Sequence, residues 1–187
     1  MRVPKLSLAV CVFYLQGTLV DAIRPSKFLP KRDPCVPLAQ GYETIDDSPA
    51  INDALKACGN GGTIVLPADQ IYSIRSPIDF SPCNNCDFQI EGRLIVASGQ
   101  WAYWLSVDST FSIPNVTGAR IRSVTGSGVI DGNAVEYYTS RYDSGIGKTP
   151  AFAHVSKASS NITFENLTLK NVMYVYRNHP SDRPADT

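Results

Sequence analysis

Short runs of alternating apolar and polar side chains dominate the middle of the chain and predict strands. The ten residues VTGSGVIDGN (124–133) combine β-branched side chains with three glycines, which permit backbone angles closed to other residues. We interpret them as a strand, a tight corner and a second strand. Similar patterns about a bend occur in FQIEGRLIVA (88–97) and ITFENLTLKN (162–171), and three such units indicate stacked coils.

Eight strands are predicted after residue 62. They are Thr63 to Leu66, Tyr72 to Ile74, Phe88 to Ile90, Leu94 to Ala97, Ile121 to Val124, Gly128 to Ile130, Ile162 to Phe164 and Leu167 to Leu169. If Ile90, Ile121 and Phe164 are equivalent apolar positions, they lie 31 and 43 residues apart. Coils of a β-solenoid with variable loops give such irregular spacing, whereas a series of two-residue hairpins does not. The pattern therefore predicts parallel stacking.

One helix is predicted ahead of the strands, and helical periodicity does not return after it. Ser48 is a suitable N-cap, Pro49 suits the first helical position, and Gly59 ends the helix. Four side chains at helical spacing form its apolar face: Ile51, Ala54, Leu55 and Cys58. Such a helix is well placed to cover the open end of a stack, although the pattern also fits an ordinary surface helix.

Residues 1–22 have the pattern of a secretory signal peptide. Arg2 and Lys5 precede an apolar run from Leu6 to Leu15, and small residues follow at the end. The apolar run is too short for a transmembrane helix, which needs about 20 apolar residues. The sequence therefore predicts a secreted, extracellular protein without a membrane partner.

The rest of the chain divides into three segments of one domain. Residues 23–45 contain four prolines and predict an extended N-terminal arm, and residues 46–172 form the predicted coils. Residues 173–187 are polar and proline-bearing, unlike another coil, and we expect an irregular C-terminal tail. A chain of 187 residues with 43% hydrophobic residues can bury one ordinary core.

Net charge excludes one broad class of function. The chain has 17 basic and 17 acidic residues, and removal of residues 1–22 takes away Arg2, Lys5 and Asp21. The mature net charge is then minus one, whereas a nucleic-acid-binding protein normally has a marked basic excess. No nucleic-acid partner is expected.

Four cysteines remain after residue 22, and three disulfide pairings are possible. We favour Cys35 with Cys58, joining the arm to the helix, and Cys83 with Cys86 as a short local loop. The CxxC pair could instead belong to a zinc site or a redox site. A zinc site is disfavoured because the other candidate ligands, Cys35, Cys58, His154 and His179, have no recognisable metal-ligand spacing. We therefore predict structural disulfides, with no metal and no cofactor.

Four segments carry a further signal through their order along the chain. They are DDSPAINDALKACGNGGTIVLPADQIYSI (46–74), IEGRLIVAS (90–98), TGSGVIDGN (125–133) and SSNITFENLTLKN (159–171). In this order they resemble the N-terminal half of glycoside hydrolase family 28, the polygalacturonases and rhamnogalacturonan hydrolases. The resemblance implies an all-β fold, a right-handed parallel β-helix of the pectin lyase type with a short N-terminal capping helix. It also implies secretion and hydrolysis of the galacturonan or rhamnogalacturonan backbone of pectin.

The resemblance extends to a subgroup and to the reaction. The residues before Trp104 and the paired cysteines resemble those of fungal exo-acting members. The family's hydrolysis inverts the sugar configuration and uses paired aspartates from Asn-Thr-Asp and Gly-Asp-Asp motifs. Gly-His-Gly and Arg-Ile-Lys motifs assist catalysis and hold the substrate. None of the four motifs occurs in this sequence, so we assign no catalytic residue and expect this chain alone to be inactive.

Partial matches to those motifs have simpler structural explanations. Asp46 and Asp47 precede the helix and are expected to stabilise its start. Arg120-Ile121-Arg122 is expected at a solvated strand edge, and Asp131 is expected in a turn. The two histidines, His154 and His179, lack flanking glycines. The tail and the missing motifs together predict a truncated stack, a fragment of marginal solubility whose last coil leaves a sheet edge uncovered.

Two further sets of residues are candidates for carbohydrate chemistry. The asparagines of three N-glycosylation sequons are Asn115, Asn161 and Asn166, although asparagines of this kind also occur in β-helix turns. The aromatic residues Trp101, Tyr103 and Trp104 could form a platform for sugar rings, but packing is the commoner role of such residues.

Two hypotheses follow from the sequence. The first is a pectin hydrolase of this family whose catalytic coils are absent from the chain, with pectic polysaccharide as its partner. The second is a secreted, non-catalytic decoy that binds pectin fragments or a polygalacturonase inhibitor protein. A calcium-dependent pectate lyase is a weaker third possibility, because no acidic cluster with a nearby basic proton acceptor is evident.

Overall fold

Three parallel β-sheets, stacked coil on coil, form the part of the chain that the structure describes. The computed structural model describes residues 32–107, 109–135 and 151–172. Two helices are found there, α1 (Ser48–Cys58) and α2 (Trp101–Ser106). The strands are β1 (Thr63–Leu66), β2 (Ile71–Ile74), β3 (Ile78–Asp79), β4 (Asp87–Ile90), β5 (Arg93–Val96), β6 (Ser109–Ile113), β7 (Arg120–Arg122), β8 (Val129–Asp131), β9 (Ala151–Val155), β10 (Thr163–Glu165) and β11 (Thr168–Lys170).

Every strand pairs in parallel with the strand that occupies the same place in a neighbouring coil. The sheet orders are β1-β4-β7-β10, β2-β5-β8-β11 and β3-β6-β9, so successive strands of the chain belong to successive sheets. This arrangement is a parallel β-helix, the predicted fold, and it is right-handed as parallel crossovers are. The eight predicted strands account for the first two sheets, with bounds that differ by no more than two residues.

The third sheet, β3-β6-β9, was not predicted from the sequence. Its first strand, β3, has two residues, and its last strand, β9, is AFAHV, in which alanine weakens the apolar signal. Only β6, STFSI, has a clear alternation of polar and apolar residues. These strands form because their inward positions align with neighbouring coils, as Phe111 of β6 does with Ile78 and Ala153.

The predicted register of the first sheet is wrong by two residues. Ile121 pairs with Phe88 rather than Ile90, so the aligned column is Ile64, Phe88, Ile121 and Phe164. A shift of two residues keeps the same side chains on the inward face. Hydrophobic alternation could therefore identify the inward face of these strands but could not fix their alignment.

Helix α1 covers the first coil, as predicted, but begins differently. Its N-cap position is Asp47 rather than Ser48, and Ser48 is helical, with its hydroxyl donating to the carbonyl of Ser76 at 2.7 Å. Ile51 and Leu55 are fully buried against the first coil. The prediction of one helix was also wrong, because α2 occurs between β5 and β6.

The N-terminal arm is attached along the outer strand of the first sheet. The amide of Cys35 donates to the carbonyl of Thr63, and the amide of Val65 donates to the carbonyl of Cys35, each at 2.9 Å. Burial raises the pKa of Tyr72 to about 12, with Asp47 and Asp69 adding to the shift. Its neutral phenol donates to the carbonyl of Pro37 at 2.7 Å. The arm thereby covers the backbone edge of β1 that would otherwise face solvent.

Two disulfides close this end of the stack. Cys35 is bonded to Cys58, with 6.1 Å between their Cα atoms, and Cys83 is bonded to Cys86, with 5.4 Å. The first bond links the arm to the last turn of α1. This bond closes a loop of 23 residues and so lowers the entropy of the unfolded chain. The loss of entropy stabilises the folded state by about 3 kcal/mol.

Phenylalanine rings form a continuous ladder through the core. Phe88 contacts Phe80 with ring centroids 5.1 Å apart, and Phe80 contacts Phe111 at 5.3 Å. The ladder continues from Phe111 to Phe152 at 4.8 Å and from Phe152 to Phe164 at 5.9 Å. The first four rings are buried, but Phe164, on the last described coil, is 40% exposed.

A left-handed residue lies two positions before each strand of the first sheet. These residues are Gly61, Asn85, Gly118 and Asn161, with φ between 52° and 74°. Glycine and asparagine are the residues that adopt this conformation most readily. The amides of the first three donate to carbonyls of the next coil, at Asn84, Thr117 and Ser160, over 2.8 to 2.9 Å. The corner therefore fixes the vertical register of the coils.

The corner between β7 and β8 is built around one carboxylate of the coil before it. Glu91 accepts hydrogen bonds from the amides of Val124 and Thr125 and from the hydroxyls of Ser123 and Thr125. The Ser127 hydroxyl donates to the Glu91 carbonyl at 2.8 Å. These bonds hold the predicted corner ahead of β8, but the first strand predicted in segment 124–133 is wrong, because β7 ends at Arg122 and residues 124–128 form the corner.

We predict that Glu91 makes stability depend on pH in the acidic range. Burial raises its pKa, but the hydrogen bonds from Thr125, Val124 and Ser123 outweigh this and lower the pKa from 4.5 to about 2. A depressed pKa contributes stability above about pH 4.5, and this contribution is lost as the pH falls through about 2. Glu91→Gln should cost about 1 to 3 kcal/mol at neutral pH, since an amide cannot accept all of these bonds.

Urea unfolding of the parent chain and the variant from pH 7 to pH 2 measures this effect. The two stability curves should converge as the acid limit is reached. Glu43→Gln is the matched control, because the Glu43 side chain is exposed, and its curve should follow that of the parent. A constant gap between parent and Glu91→Gln at every pH would show that the charge on Glu91 is unimportant.

Candidate functional site

The two aspartates before α1 connect the arm, the helix and the second sheet. Asp46 accepts hydrogen bonds from the amides of Ser48 and Arg75 and from the Ser76 hydroxyl. Burial raises the pKa of Asp46, but these hydrogen bonds outweigh it, and the net pKa is lowered. Asp47 is 1% exposed and accepts from the amides of Gln40 and Ser73, both at 2.8 Å. Both carboxylates therefore have structural roles. They stabilise the start of α1, as predicted, and also bond the arm and β2 to it.

Asp131 also has a structural role, in the turn after β8. Its carboxylate accepts from the amide of Asn133 at 3.0 Å and from the side chain of Asn171, one coil further, at 3.1 Å. Its register neighbours in the sheet are Ile95 and Lys170. An acid and base pair would need a second carboxylate close to Asp131. Neither register neighbour of Asp131 is a carboxylate.

Arg120 and Arg122 lie on the outward face of the first sheet. The prediction of a strand edge is wrong, because β7 lies between β4 and β10. Arg120 forms an ion pair with Glu165 at 2.7 Å, and Arg122 forms one with Asp87 at 2.8 Å. The Arg122 hydrogen bonds lower the pKa of Asp87 despite its partial burial. Both guanidinium groups are thus engaged in bonds between neighbouring coils.

The aromatic cluster on α2 faces in two directions. Trp104 is 1% exposed and belongs to the core, whereas Tyr103 is 40% exposed, and their ring centroids are 5.4 Å apart. The Trp104 indole nitrogen is buried without a hydrogen-bond partner among the described residues. The side chain of Trp101 lies outside the described part of the structure. Packing is therefore the role of Trp104, and Tyr103 is the one of these two described side chains that could contact a sugar.

The three sequon asparagines share one backbone conformation. Asn115, Asn161 and Asn166 are exposed and have φ values of 51°, 54° and 53°. The side-chain amide of Asn166 donates to the carbonyl of Ser123 at 3.1 Å. The side-chain amides of Asn115 and Asn161 form no hydrogen bond within the described residues, although the backbone amide of Asn115 donates to the Ser156 hydroxyl. Asn115 and Asn161 are thus more accessible to modification than Asn166.

Other predicted residues do not form a site in the described part of the chain. His154 lies in β9 and is half-buried. His179, the signal peptide of residues 1–22 and the tail of residues 173–187 lie outside the described residues. Within residues 32–107, 109–135 and 151–172 there is no cluster of three or more His, Cys, Asp or Glu side chains that could hold a metal ion. In the same ranges, no helix has the length and apolar character needed to cross a membrane.

A groove of 420 Å³ lies between the arm and the second sheet. Residues 41–44 of the arm form one wall, and the outward side chains of β2 and β5 form the floor. Arg75, Arg93 and Glu43 contribute its charged groups. The groove has no signal in the sequence, because only the fold brings the arm over β5, which lies about 50 residues further along the chain.

A second cavity, of 230 Å³, lies at the far end of the stack. Phe152, Phe164 and Leu169 line it, and the last two are 40% and 36% exposed. Their register equivalents in the coil before, Ile121 and Ile130, are fully buried. The cavity is therefore the uncovered inner face of the last described coil.

This stack is similar to several known proteins over most of its length. The probable endo-xylogalacturonan hydrolase A of Aspergillus flavus is 41% identical over 152 residues, which are 81% of this chain and 37% of that protein. Endo-xylogalacturonan hydrolase A of Aspergillus tubingensis is 38% identical over the same shares. The crystal structure of endo-xylogalacturonan hydrolase from Aspergillus tubingensis matches with a TM-score of 0.59 and 34% identity, over 81% of this chain and 45% of that chain.

The chain is a homologue of the enzymes of glycoside hydrolase family 28. It spans 37% of the length of the relatives named here. No protein-family model matches it. The relatives are named as endo-acting enzymes, which differs from the exo-acting subgroup that the residues before Trp104 resemble.

Proposed function

We propose that this family 28 homologue derives from a secreted hydrolase of pectic galacturonan. That hydrolase inverts the sugar configuration by means of paired carboxylates. This chain itself does not catalyse hydrolysis. The observation that carries the proposal is the 41% identity, over 152 residues, to a probable endo-xylogalacturonan hydrolase. The stack of in-register parallel coils agrees with this similarity. Xylogalacturonan is a pectic polysaccharide, so a pectic chain is the expected partner.

The geometry that inversion requires supports the proposal that this chain is inactive. An acid and a base must lie about 6.5 to 9.5 Å apart, a spacing that carboxylates on nearby coils, each about 4.8 Å from the next, can provide. On the outward face of the first sheet, Asp87 is in register with Arg120 and Glu165 is in register with Arg122, so each of these carboxylates lies beside an arginine rather than a second carboxylate. The family's catalytic motifs are also missing from the sequence.

A second candidate function is that of a secreted decoy that binds pectin fragments or a polygalacturonase inhibitor protein. The carboxylates of Asp46, Asp47 and Glu91 accept several hydrogen bonds each and hold the fold together. A surface whose acidic groups are occupied in this way favours binding without turnover. The decoy function needs no catalytic coils.

We expect no hydrolysis when the purified chain is incubated with xylogalacturonan or polygalacturonate. Release of reducing ends measures hydrolysis, and ultraviolet absorbance of unsaturated products measures lyase activity. Co-sedimentation of the chain with insoluble pectic polymer should still occur. Release of reducing ends at a rate that scales with the amount of chain would contradict the proposal, and unsaturated products would identify a lyase.

We further propose that the chain is secreted and N-glycosylated, with Asn115 and Asn161 occupied more fully than Asn166. The amide of Asn166 donates to Ser123 and lies beside Gly126, where a β-carbon would be 3.3 Å from it. A glycan there must displace this contact, whereas the other two amides are exposed.

Expression in a eukaryotic secretory host tests this order of occupancy. Deglycosylation should remove glycans from Asn115 and Asn161, and peptide mass spectrometry should find Asn166 largely unmodified. Asn166→Gln should then leave the glycan mass of the secreted protein unchanged, whereas Asn115→Gln and Asn161→Gln should each remove one glycan. Full occupancy of Asn166, or absence of the chain from the medium, would contradict the proposal.

A further inference from the structure

We infer that the groove between the arm and the second sheet is a binding site for a short acidic oligosaccharide, with Arg93 holding a sugar carboxylate. The sugar class rests on the proposed function, whereas the preference for an anion rests on the groove itself. The cavity of 420 Å³ is within the range of about 300 to 1,000 Å³ typical of ligand pockets.

Arg93 supplies the main attraction for an anion. Its side chain is exposed in the groove, and within the described residues no hydrogen bond or ion pair engages its guanidinium group. This differs from Arg120 and Arg122, which are both paired with carboxylates. A free guanidinium has a planar fork of donors that binds a carboxylate through two parallel hydrogen bonds.

The charges that line the groove favour an acidic ligand over a neutral one. Arg75 and Arg93 contribute two positive charges, and Glu43 contributes one negative charge. Arg93 is paired in register with Ile71 at the start of β2, and Arg75 follows the end of β2. The two arginine backbones are therefore about 13 Å apart along the strands. Positive charges at both ends suit an extended ligand with several carboxylates more than a compact anion.

The wall of the groove is held in place before any ligand binds. The carbonyl of Glu43 accepts hydrogen bonds from the Ser73 hydroxyl at 2.8 Å and from Arg75 Nη1 at 2.9 Å. The amide of Ile45 donates to the carbonyl of Tyr42 at 3.1 Å. A wall that is already ordered reduces the entropy lost on binding.

Apolar surface beside the charges suits the body of a sugar ring. Ile71 and Ile95 form an aliphatic floor, and Tyr42, on the arm side, is 66% exposed. Sugar rings carry C–H groups on their faces, and aromatic and aliphatic side chains pack against such groups. The groove thus combines an anion-binding group with an apolar surface, as a uronic-acid chain requires.

Calorimetric titration of the full chain with trigalacturonate tests the site. Trigalacturonate should bind, and galactotriose, which lacks the carboxylates, should not. Arg93→Gln should weaken trigalacturonate binding by about tenfold or more, since it removes a charge-assisted bidentate contact. Arg93→Lys keeps the charge and should recover part of the loss.

Arg120→Gln is the matched control, because it removes the same charge from the outward face of a different sheet. Its affinity should stay within about twofold of the parent, since distant exposed charges are screened by salt. Equal affinity of the parent and Arg93→Gln, or equal binding of the neutral trisaccharide, would overturn the site. Binding of pectic polymer without binding of trigalacturonate would overturn the groove alone, whereas binding of neither would overturn the proposed pectic partner as well.

Discussion

Alignment of the coils depends on one corner, where a left-handed residue precedes each strand of β1-β4-β7-β10. The amide of Gly61 donates to Asn84, that of Asn85 to Thr117, and that of Gly118 to Ser160. Only residues that adopt a positive φ at low energetic cost can continue this series of corner hydrogen bonds. Glycine and asparagine alternate at its positions. Because the corners stack, the inward side chains of neighbouring coils align, and the phenylalanine ladder can form along the core.

Most of the fold could be predicted from local alternation, and the errors have identifiable causes. The strands of the first two sheets combine apolar alternation with glycine or asparagine bends, as in FQIEGRLIVA. The third sheet was missed because β3 is very short and β9 is rich in alanine. The register of Ile121 was wrong because a shift of two residues preserves the inward face. Helix α2 has six residues, too few to establish a helical period.

The candidate site was less predictable than the fold. Structural roles for Asp46, Asp47 and Asp131 could be anticipated from their positions beside a helix and a turn. The groove could not be predicted, because its wall is an irregular, proline-rich arm without periodicity. Only the fold brings this arm beside Arg93. Carboxylates hold neighbouring coils together, whereas Arg93 in the groove forms no such bond within the described residues.

The most direct test of this account compares alanine substitutions at two glycines with the same backbone angle. Gly41 and Gly118 both have φ of +74°, but a β-carbon at Gly41 meets nothing within 4 Å, whereas one at Gly118 lies 2.3 Å from Asn85 Oδ1 of the neighbouring coil. Gly41→Ala should therefore cost only the left-handed strain of about 1 to 2 kcal/mol in urea unfolding. Gly118→Ala should cost about 1 to 3 kcal/mol more, because it also separates stacked corners. Equal losses would contradict the claim that this corner sets the register of the coils.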